Sequence, residues 1–465
     1  MLRAAIAAET VGIPSVSIVC EGFVGQAAAT ARGHGFDDLA LAEIPGHVDA
    51  MRWEELRATF LEVTVPQIVG GLTTFDEATT ATAVEEPGSL EIVRVGRLDD
   101  IQDHFVRQGW SDGLPIVPPT RDRVEAMLLP GGHDPWKILG IAPTSGRDIS
   151  VWSLAVNAVM AGCRPEHFPV VLAIAHALAD PRYGAQHSGN TTGADALVIL
   201  DSDRAADLGF RSGAGALRDG ARANTAVGRW LRLYLRNVFG FTSDAHDKAT
   251  FGNSFRVVLA EDLDTLTAIG WPTVAAELGV NGDGIAMARY NSGAIIGSVF
   301  GATPEEVLPY LGDGLARVSG WDLTHVYGLG QGHYRPLLVL SPILARLFAD
   351  AGWSKADVAR GLFEHARIPA WRFEKLIGEW SNLTPGRRSL IELARHGHVP
   401  TVFAESDDPD RLVPIVTEPS KLVLAVAGDS TRANAFAFSH DGPHGDLIAK
   451  PIDFEPVDDL ICLTP

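Results

Sequence analysis

A cysteine between two apolar segments is the first candidate for a chemically reactive side chain. Cys163 lies in NAVMAGCRPEHFPVVLAIAHAL (157–178), between the end of one predicted helix and Pro165, which begins the next. The dipole of the second helix and the adjacent Arg164 would both stabilise a thiolate, and His167 is a candidate base one turn further on. The pattern predicts a nucleophile or acid–base residue at Cys163. The alternative is a small apolar side chain that fills a helix corner.

A second candidate site combines arginine, asparagine and glycine at the start of a predicted helix. Arg222, Asn224 and Arg229 follow the glycine-rich segment RSGAGALRDG (211–220). Free backbone N–H groups at a helix start, together with bidentate arginines, suit a carboxylate or a phosphate. The glycine-rich segment lacks the spacing and the lysine of a nucleotide-binding loop. We therefore expect these three side chains to bind an anionic substrate; the alternative is an amphipathic helix with solvated arginines.

Short polar segments next to predicted strands provide further candidates for substrate binding. SGNTTGADA (188–196) places Asn190, Thr191 and Thr192 just before a strand, and Thr120 follows the segment LPIVPP. Open α/β sheets bind ligands at the carboxyl ends of their strands, which is where Thr120 is expected. The alternatives are an ordinary loop for the first segment and a helix N-cap for Thr120.

Histidines are concentrated in two loops of the C-terminal third. The pattern His-Asp-x-x-His in the second loop suits a metal ion held by His440 and His444 with a supporting carboxylate. No other cofactor is expected, because the sequence has no dinucleotide fingerprint and no His-Glu-x-x-His. The two loops are THVYGLGQGHY (324–334), with His325, Gln331 and His333, and SHDGPHGD (439–446), with His440, Asp441, His444 and Asp446.

The composition excludes several classes of partner. The chain has 465 residues, enough for two or three domains, and a formal net charge of −20. Nucleic acids and anionic membranes need a basic surface, so neither is an expected partner, although an acidic protein can hold a local basic pocket. Three scattered cysteines form no disulfide framework, and no apolar stretch reaches the roughly 18–20 residues of a membrane span. With no signal peptide in the sequence, we expect a soluble cytoplasmic protein.

Predicted helices and strands alternate along the chain, which indicates an α/β fold. Residues 1–74 form a predicted N-terminal α/β domain that begins with a helix, so its first strand is expected to be absent or supplied by something else. The polar, acidic segment 75–92 is a predicted linker. Residues 93–465 form a larger α/β domain, in which strand–helix units at 196–237 and 337–367 are expected to repeat around one sheet.

Five segments distributed over almost the whole chain resemble a known family. They are GIPSVSIVCEGF (12–23), GWSDGLPIVPPTRDRVEAML (109–128), NAVMAGCRPEHFPVVLA (157–173), GARANTAVGRWLRL (220–233) and AGWSKADVARGLFEHAR (351–367). Together they are similar to the bacterial UGSC-type (seleno)protein family. The family is named after a selenocysteine or cysteine followed by Gly-Ser-Cys, which the resemblance places upstream of the GIPSV strand.

The defining motif of that family is missing from this sequence. There is no Gly-Ser-Cys anywhere in the chain, so the thiol or selenol chemistry that the resemblance implies cannot be assigned to any residue here. Three explanations stay open: a truncated chain, a partner that supplies the missing N-terminal piece, or a branch of the family that works without it. The resemblance in the large domain includes Cys163.

Three classes of function stay open on these residues. We expect an enzyme that acts on a small anionic, carboxylate-bearing metabolite by lyase or hydrolase chemistry, since hydride transfer would need a nicotinamide-binding fingerprint. The resemblance implies a second class, a component of a thiol/selenol redox system whose Gly-Ser-Cys motif lies outside this chain. The third class is a non-catalytic binding or scaffold subunit. The 48 glycines also indicate close backbone packing and a homo-oligomer.

Overall fold

Helices and strands alternate in the computed structural model, and the fold belongs to the α/β class, as the sequence predicted. The structure describes residues 2–48, 51–73, 87–129, 131–243, 246–253, 255, 257–327, 332–380 and 389–454. Most of the predicted linker therefore lies outside the described residues. Within those residues, no helix is long and apolar enough to cross a membrane.

A small parallel sheet organises the N-terminal unit. β1 (Ser17–Cys20) pairs in parallel with β2 (Leu41–Ile44). The crossover between the two strands contains a helix, as a parallel pair requires. The helices of the unit are α1 (Leu2–Thr10), α2 (Val24–Gly33), α3 (Trp53–Thr59) and α4 (Val65–Thr73), with a π-helical turn at Phe60–Thr64.

The next part of the chain is mostly helical. Its elements are α5 (Leu98–Arg107), α6 (Arg121–Leu128), a hairpin of β3 (Ile138–Ile141) and β4 (Asp148–Ser150), α7 (Val151–Ala161) and α8 (Phe168–Ala179). α7 and α8 are apolar on almost every face, which fits their position inside the domain. α7 ends at Gly162, whose φ of +86° is the left-handed conformation of a helix C-cap.

Seven strands form the central sheet of the large domain. The strands of this part of the chain are β5 (Asp195–Asp201), β6 (Leu259–Ala260), β7 (Gly284–Ile296), β8 (Leu337–Leu340), β9 (Arg367–Pro369), β10 (Leu412–Pro414), β11 (Val423–Val426), β12 (Ala435–His440) and β13 (Ile448–Pro451). The order in the sheet is β11-β8-β12-β7-β5-β6, with β13 also on β7, whereas β9 and β10 pair separately. The sheet is mixed: β5 is parallel to β6 and β8 to β11, but β7 is antiparallel to both β5 and β12.

The two halves of the central sheet have the same internal order. β5 and β8, the strands that begin the two predicted repeat units, each pair with a parallel neighbour on the outer side. On the inner side each pairs with an antiparallel strand, β7 or β12, and these two strands meet at the centre.

Helices cover both faces of the sheet. Ala196, Val198 and Leu200 of β5 pack into one apolar cluster, and Leu197 and Ile199 pack into another on the opposite face. A strand that is buried on both faces is continuously apolar, as ALVIL (196–200) is. The remaining helices are α9 (Arg222–Asn237), α10 (Leu263–Ile269), α11 (Val274–Glu277), α12 (Pro304–Val318), α13 (Pro342–Asp350), α14 (Lys355–His365), α15 (Ala370–Gly378) and α16 (Leu390–Arg395).

Several loops converge at one edge of the sheet. β5 and β8 begin there and β12 ends there, because β12 is antiparallel to β8 and Asp195 of β5 pairs with Tyr290 of β7. The segments before β5, before β8 and after β12 therefore meet. This is the amino-terminal edge of β5 and β8, not the carboxyl edge at which the sequence predicts a ligand.

Candidate functional site

Polar side chains from four segments come together at this edge of the sheet. The ring centroids of His187 and His444 are 5.0 Å apart, and those of His325 and His444 are 6.0 Å apart. We call this group the histidine cluster; its members are His187, Asn190, Arg289, His325, His440, Asp441 and His444.

Asp441 is the charged centre of the histidine cluster. Its buried carboxylate accepts hydrogen bonds from Nδ2 of Asn190, at 3.0 Å to each oxygen, and from Nε of Arg289 at 3.2 Å. Burial by itself would raise the pKa of this carboxyl, but the hydrogen bond from His444 and the charge of Arg289 outweigh burial and lower the pKa. Asp441 is therefore ionised at neutral pH, and Arg289 supplies the buried counter-charge.

His444 is oriented by Asp441. Its Nδ1 lies 3.3 Å from Oδ1 of Asp441 and donates to the carboxylate, which leaves the lone pair of the neutral ring on Nε2. Nε2 has no hydrogen-bond partner in the described part of the chain. The side chain is 26% exposed, so Nε2 is within reach of a ligand. The backbone carbonyl of His444 accepts a hydrogen bond from Nη2 of Arg289.

Two glycines let the loop after β12 pack directly against its neighbours. Gly442 has a φ of +54°, and a Cβ at this position would lie 2.2 Å from the ring of His325. A Cβ at Gly445 would lie 1.9 Å from the carbonyl oxygen of Tyr183. Only glycine fits at such distances, so packing explains the glycines of the sequence SHDGPHGD.

His440 is a buried neutral histidine that connects the cluster to the segment before β8. Burial lowers its pKa to about 3. Its Nδ1 lies within hydrogen-bonding distance of backbone groups of His333, Arg335 and Gly442. Its Nε2 is buried and has no partner among the residues that the structure describes.

A pocket of about 430 Å³ is lined by residues of the segment before β8 and of the loop after β12, among them His333 and Asp446. We call it the Arg335 pocket; its charged and titratable lining residues are Arg182, His333, Arg335, Lys421 and Asp446. Among the described residues, Asp446 is the only acidic one in the lining, and its Oδ1 contacts Nδ1 of His333 at 3.1 Å. The lining is therefore positive overall, in a protein whose net charge is −20.

Arg335 differs from the other cations of this pocket. Arg182 is paired with Asp180 at 2.7 Å, and Lys421 with Glu418 at 3.6 Å. Arg335 is half-buried as a residue, and its guanidinium makes no ion pair and no hydrogen bond with any residue in the described ranges. Because a partly desolvated cation without a partner is unfavourable, this position is suited to an anionic ligand.

Comparison with known proteins identifies the N-terminal part of the chain. Residues 1–74 match the model of the UGSC family. We call residues 1–74, which this match covers, the UGSC segment. The resemblance is thus confirmed for GIPSVSIVCEGF, whereas the other four segments lie outside the match. No curated protein and no solved structure matches the chain. The histidine cluster and the Arg335 pocket both lie outside the UGSC segment.

The structure does not support the chemistry predicted for Cys163. The thiol is buried, and burial raises its pKa to about 12, against a smaller lowering by the charge of Arg222. The predicted low pKa is therefore wrong. His167 is also occupied, because its Nδ1 accepts the N–H of Arg164 at 3.2 Å and its Nε2 donates to the carbonyl of Leu208 at 3.1 Å. With both ring nitrogens bonded to backbone, His167 has no lone pair left to act as a base.

Two of the predicted anion ligands on α9 make internal contacts instead. Oδ1 of the buried Asn224 accepts the N–H of Arg211 at 2.9 Å, and its Nδ2 donates to the carbonyl of Val258 at 2.7 Å. Arg229 forms a bidentate ion pair with Asp112, at 2.8 and 2.9 Å. These groups bind other parts of the chain, so they are not available to a substrate in this conformation.

Three other predicted site residues lie on the surface away from the histidine cluster contacts. Arg222 is exposed, and its guanidinium approaches the carbonyl of Gly162 only at 3.4 Å. Thr120 is exposed at the N-cap position of α6, but its side chain makes no cap hydrogen bond. Thr191 is exposed, and its carbonyl accepts hydrogen bonds from Thr250. Their substrate-binding roles remain predictions.

The polar segment before β5 does join the candidate site. Asn190 binds the carboxylate of Asp441, and Oγ1 of Thr192 donates to Oδ1 of Asn291 at 3.0 Å. Nδ2 of Asn291 in turn donates to Oδ1 of the buried Asp322 at 2.6 Å. Two loops that are far apart in the sequence, SGNTTGADA and SHDGPHGD, are therefore parts of one network.

The predicted metal site has no geometric support. In the part of the chain that the structure describes, no group of three or more His, Cys, Asp or Glu side chains is arranged to hold a metal ion. His440 uses Nδ1 for backbone contacts, whereas His444 uses Nδ1 for Asp441. Gln331 lies outside the described residues, and His333 lines the Arg335 pocket.

The electrostatics of the site depend on the positive charges of Arg289 and Arg335, and no sequence motif indicated either residue. A faint signal exists for Arg289, which stands in the otherwise apolar strand segment GIAMARY (284–290). An arginine in a buried strand needs a counter-charge, and here that counter-charge is Asp441. Arg335 has no such signal, because its unpaired state depends on which groups the fold places around it.

Proposed function

We propose that this protein is an enzyme that binds a small carboxylate-bearing or otherwise anionic metabolite in the Arg335 pocket. The observation that carries the proposal is the half-buried residue Arg335, whose guanidinium has no partner among the described residues of a pocket with a net positive lining. A carboxylate or phosphate could accept two hydrogen bonds from it in the planar fork geometry that arginine favours.

Lyase or hydrolase chemistry is the proposed reaction class. Both classes require proton transfer at the bound substrate, which histidines and carboxylates perform near neutral pH. The histidine cluster supports this proposal because it is joined to the Arg335 pocket in two places. Asp441 and His444 belong to the same loop as the lining residue Asp446, and Nδ1 of His440 contacts the backbone carbonyl of the lining residue His333. The redox and scaffold alternatives remain predictions, and the UGSC match supports only the first of them.

Anion binding to the full chain tests the proposal. Malonate and inorganic phosphate are suitable probes, each titrated by calorimetry at low ionic strength. We expect wild type to bind at least one probe, and Arg335→Met to weaken that binding by at least about tenfold, equivalent to about 1.4 kcal/mol. The matched control is Arg317→Met, which removes an exposed arginine on α12 and the same formal charge. No binding of either probe at about 10 mM, or equal affinity in wild type and Arg335→Met, contradicts the proposal.

A further inference from the structure

We infer that the ligand of the Arg335 pocket has an anionic group at one end and an apolar body at the other, as a short alkyl or aryl monocarboxylate does. This inference rests on the proposed function, since it names the class of anion that the same pocket takes. The distribution of apolar and charged side chains over the lining supports this class of ligand.

The first support is the apolar part of the lining. It consists of Leu278, which follows the last turn of α11, and of Leu447, Ile448 and Ala449, which lie on or next to β13. We call these four residues the apolar wall. Leu447 belongs to the apolar cluster on one face of the central sheet, and Leu278 and Ala449 pack against that cluster. The apolar wall is therefore continuous with the core of the protein.

The second support is the fixed position of the apolar wall. β13 pairs with the central strand β7, so Ile448 and Ala449 are part of the main sheet. The backbone N–H of Leu278 donates to the carbonyl of Ala275 at 3.1 Å, which closes the end of α11. Because both segments are held before a ligand arrives, covering the wall costs the protein little conformational entropy. An apolar group that covers it removes apolar surface from water, which favours binding.

The third support is the distribution of charge. The cationic lining residues Arg182, Arg335 and Lys421 come from other segments than the apolar wall. Of these three, only Arg335 has no carboxylate partner in the described ranges. Asp446, directly before Leu447, adds a carboxylate to the lining. One unpaired guanidinium matches one anionic group, whereas a second would be repelled by Asp446 or lose its hydration at the apolar wall.

The size of the pocket allows a body of several carbon atoms. Its volume of about 430 Å³ corresponds to about 14 water molecules at about 30 Å³ each. A carboxylate group by itself would fill only a small part of that space and would leave the apolar wall in contact with water. A ligand whose anionic group binds Arg335 and whose body covers the apolar wall uses both parts of the lining.

A series of straight-chain monocarboxylates tests the inference on the full chain. Propanoate, butanoate, pentanoate and hexanoate differ only in their number of methylenes, and displacement calorimetry against malonate or phosphate, whichever binds, gives their affinities. Each fully buried methylene strengthens binding about fourfold, so three give up to about sixtyfold, and half burial gives about eightfold. We expect hexanoate to bind at least about eightfold more tightly than propanoate. A smaller gain overturns the inference.

Adipate is the matched ligand for the far end of the body, because it is hexanoate with a carboxylate in place of the methyl group. We expect adipate to bind more weakly than hexanoate, since its second carboxylate would lie against the apolar wall or near Asp446. Adipate that binds as tightly as hexanoate overturns the inference.

A variant of the apolar wall adds a readout that structural damage alone does not produce. Leu278→Asn keeps the size of the side chain but makes it polar, so we expect the ratio of hexanoate to propanoate affinity to fall at least about threefold, with propanoate affinity unchanged. The matched control is Leu347→Asn, a partly buried leucine of α13 that packs against a different apolar cluster; its ratio should equal that of wild type. Thermal unfolding checks that both variants are folded. If Leu278→Asn is not, the series on wild type still decides the question.

The outcomes separate this inference from the proposed function. If malonate or phosphate binds but affinity does not rise from propanoate to hexanoate, the inference is overturned and the proposed function stands. An unchanged ratio in folded Leu278→Asn also overturns the inference alone. Absence of any anion binding overturns the proposed function itself.

Discussion

At the scale of single residues, burial decides what Cys163 can do. The thiol lies among the apolar side chains of α7 and α8, and its pKa of about 12 means that almost none of it is thiolate at neutral pH. The neighbouring arginine and the start of a helix were sound reasons to expect a thiolate. Burial raises the pKa of the thiol by more than these groups lower it. It removes the hydration that stabilises the whole thiolate charge, whereas the arginine and the helix stabilise that charge only from a distance.

Alkylation of the cysteines checks this conclusion. With iodoacetamide at about pH 8, we expect the native protein to be modified at the half-buried Cys20 and not at Cys163, because the thiolate is the reactive species. Both should react after unfolding in guanidinium chloride. Peptide mass spectrometry gives the two rates in one sample. A native rate at Cys163 equal to that at Cys20 would show that the thiol is accessible and ionised, contrary to the structure.

At the scale of elements, α9 is an anchored helix rather than an anion-binding one. Its first turn is fixed by Asn224, which bonds backbone groups of Arg211 and Val258, and its middle by the ion pair of Arg229 with Asp112. The same residue types that bind substrates can also bind the main chain of neighbouring loops. The choice between the two depends on what the fold places within hydrogen-bonding distance.

Two substitutions on the first turn of α9 distinguish anchoring from ligand binding. Asn224→Ala leaves buried backbone groups without partners, so we expect the free energy of unfolding to fall by about 3 kcal/mol. Arg222→Ala is the matched control, because this exposed side chain has only long contacts at 3.4 Å, and its effect should stay within about 0.5 kcal/mol. Unfolding in guanidinium chloride measures both. Similar small effects for the two variants would argue against the anchoring role of Asn224.

At the scale of the whole molecule, buried acids make stability depend on pH. Burial raises the pKa of Asp322 from 3.8 to about 6, more than its hydrogen bonds from Ser439 and Asn291 lower it. Because its pKa is higher in the folded protein than in the unfolded chain, the folded protein binds the proton more tightly. The destabilisation from the ionised carboxyl is fully present above about pH 6 and disappears as the pH falls toward 3.8.

An amide at position 322 should remove this part of the pH dependence. Asp322→Asn keeps the side-chain shape and an acceptor for Asn291 but carries no charge. We expect the loss of stability of wild type between pH 4 and pH 7 to shrink in the variant by up to about 3 kcal/mol, the equivalent of two pKa units. Urea unfolding at several pH values measures it. The exposed Asp350→Asn is the control and should leave the wild-type profile unchanged; an Asp322→Asn profile that also matches wild type would contradict the raised pKa.

The local order of the sequence by itself determined much of the fold. The apolar run ALVIL specifies a strand buried on both faces, Gly162 ends α7, and the alternation of helices and strands gives the α/β class. Local patterns did not indicate β7, the long antiparallel strand at the centre of the sheet, because Arg289 and Asn291 interrupt its apolar residues. Those two polar residues are tolerated inside the protein only because Asp441 and Asp322 meet them there.

Only the tertiary structure decided which polar residues form the candidate site. Asn190 and Asp441 are 251 positions apart in the chain, yet their side chains are hydrogen-bonded at 3.0 Å. No local pattern encodes that contact, since it results from β5 and β12 reaching the same edge of one sheet. The same is true of the charges: Arg229 is paired and Arg335 is not, although both are arginines in an acidic chain. Residue type thus gives the possible chemistry, whereas burial and neighbours determine which groups remain free to perform it.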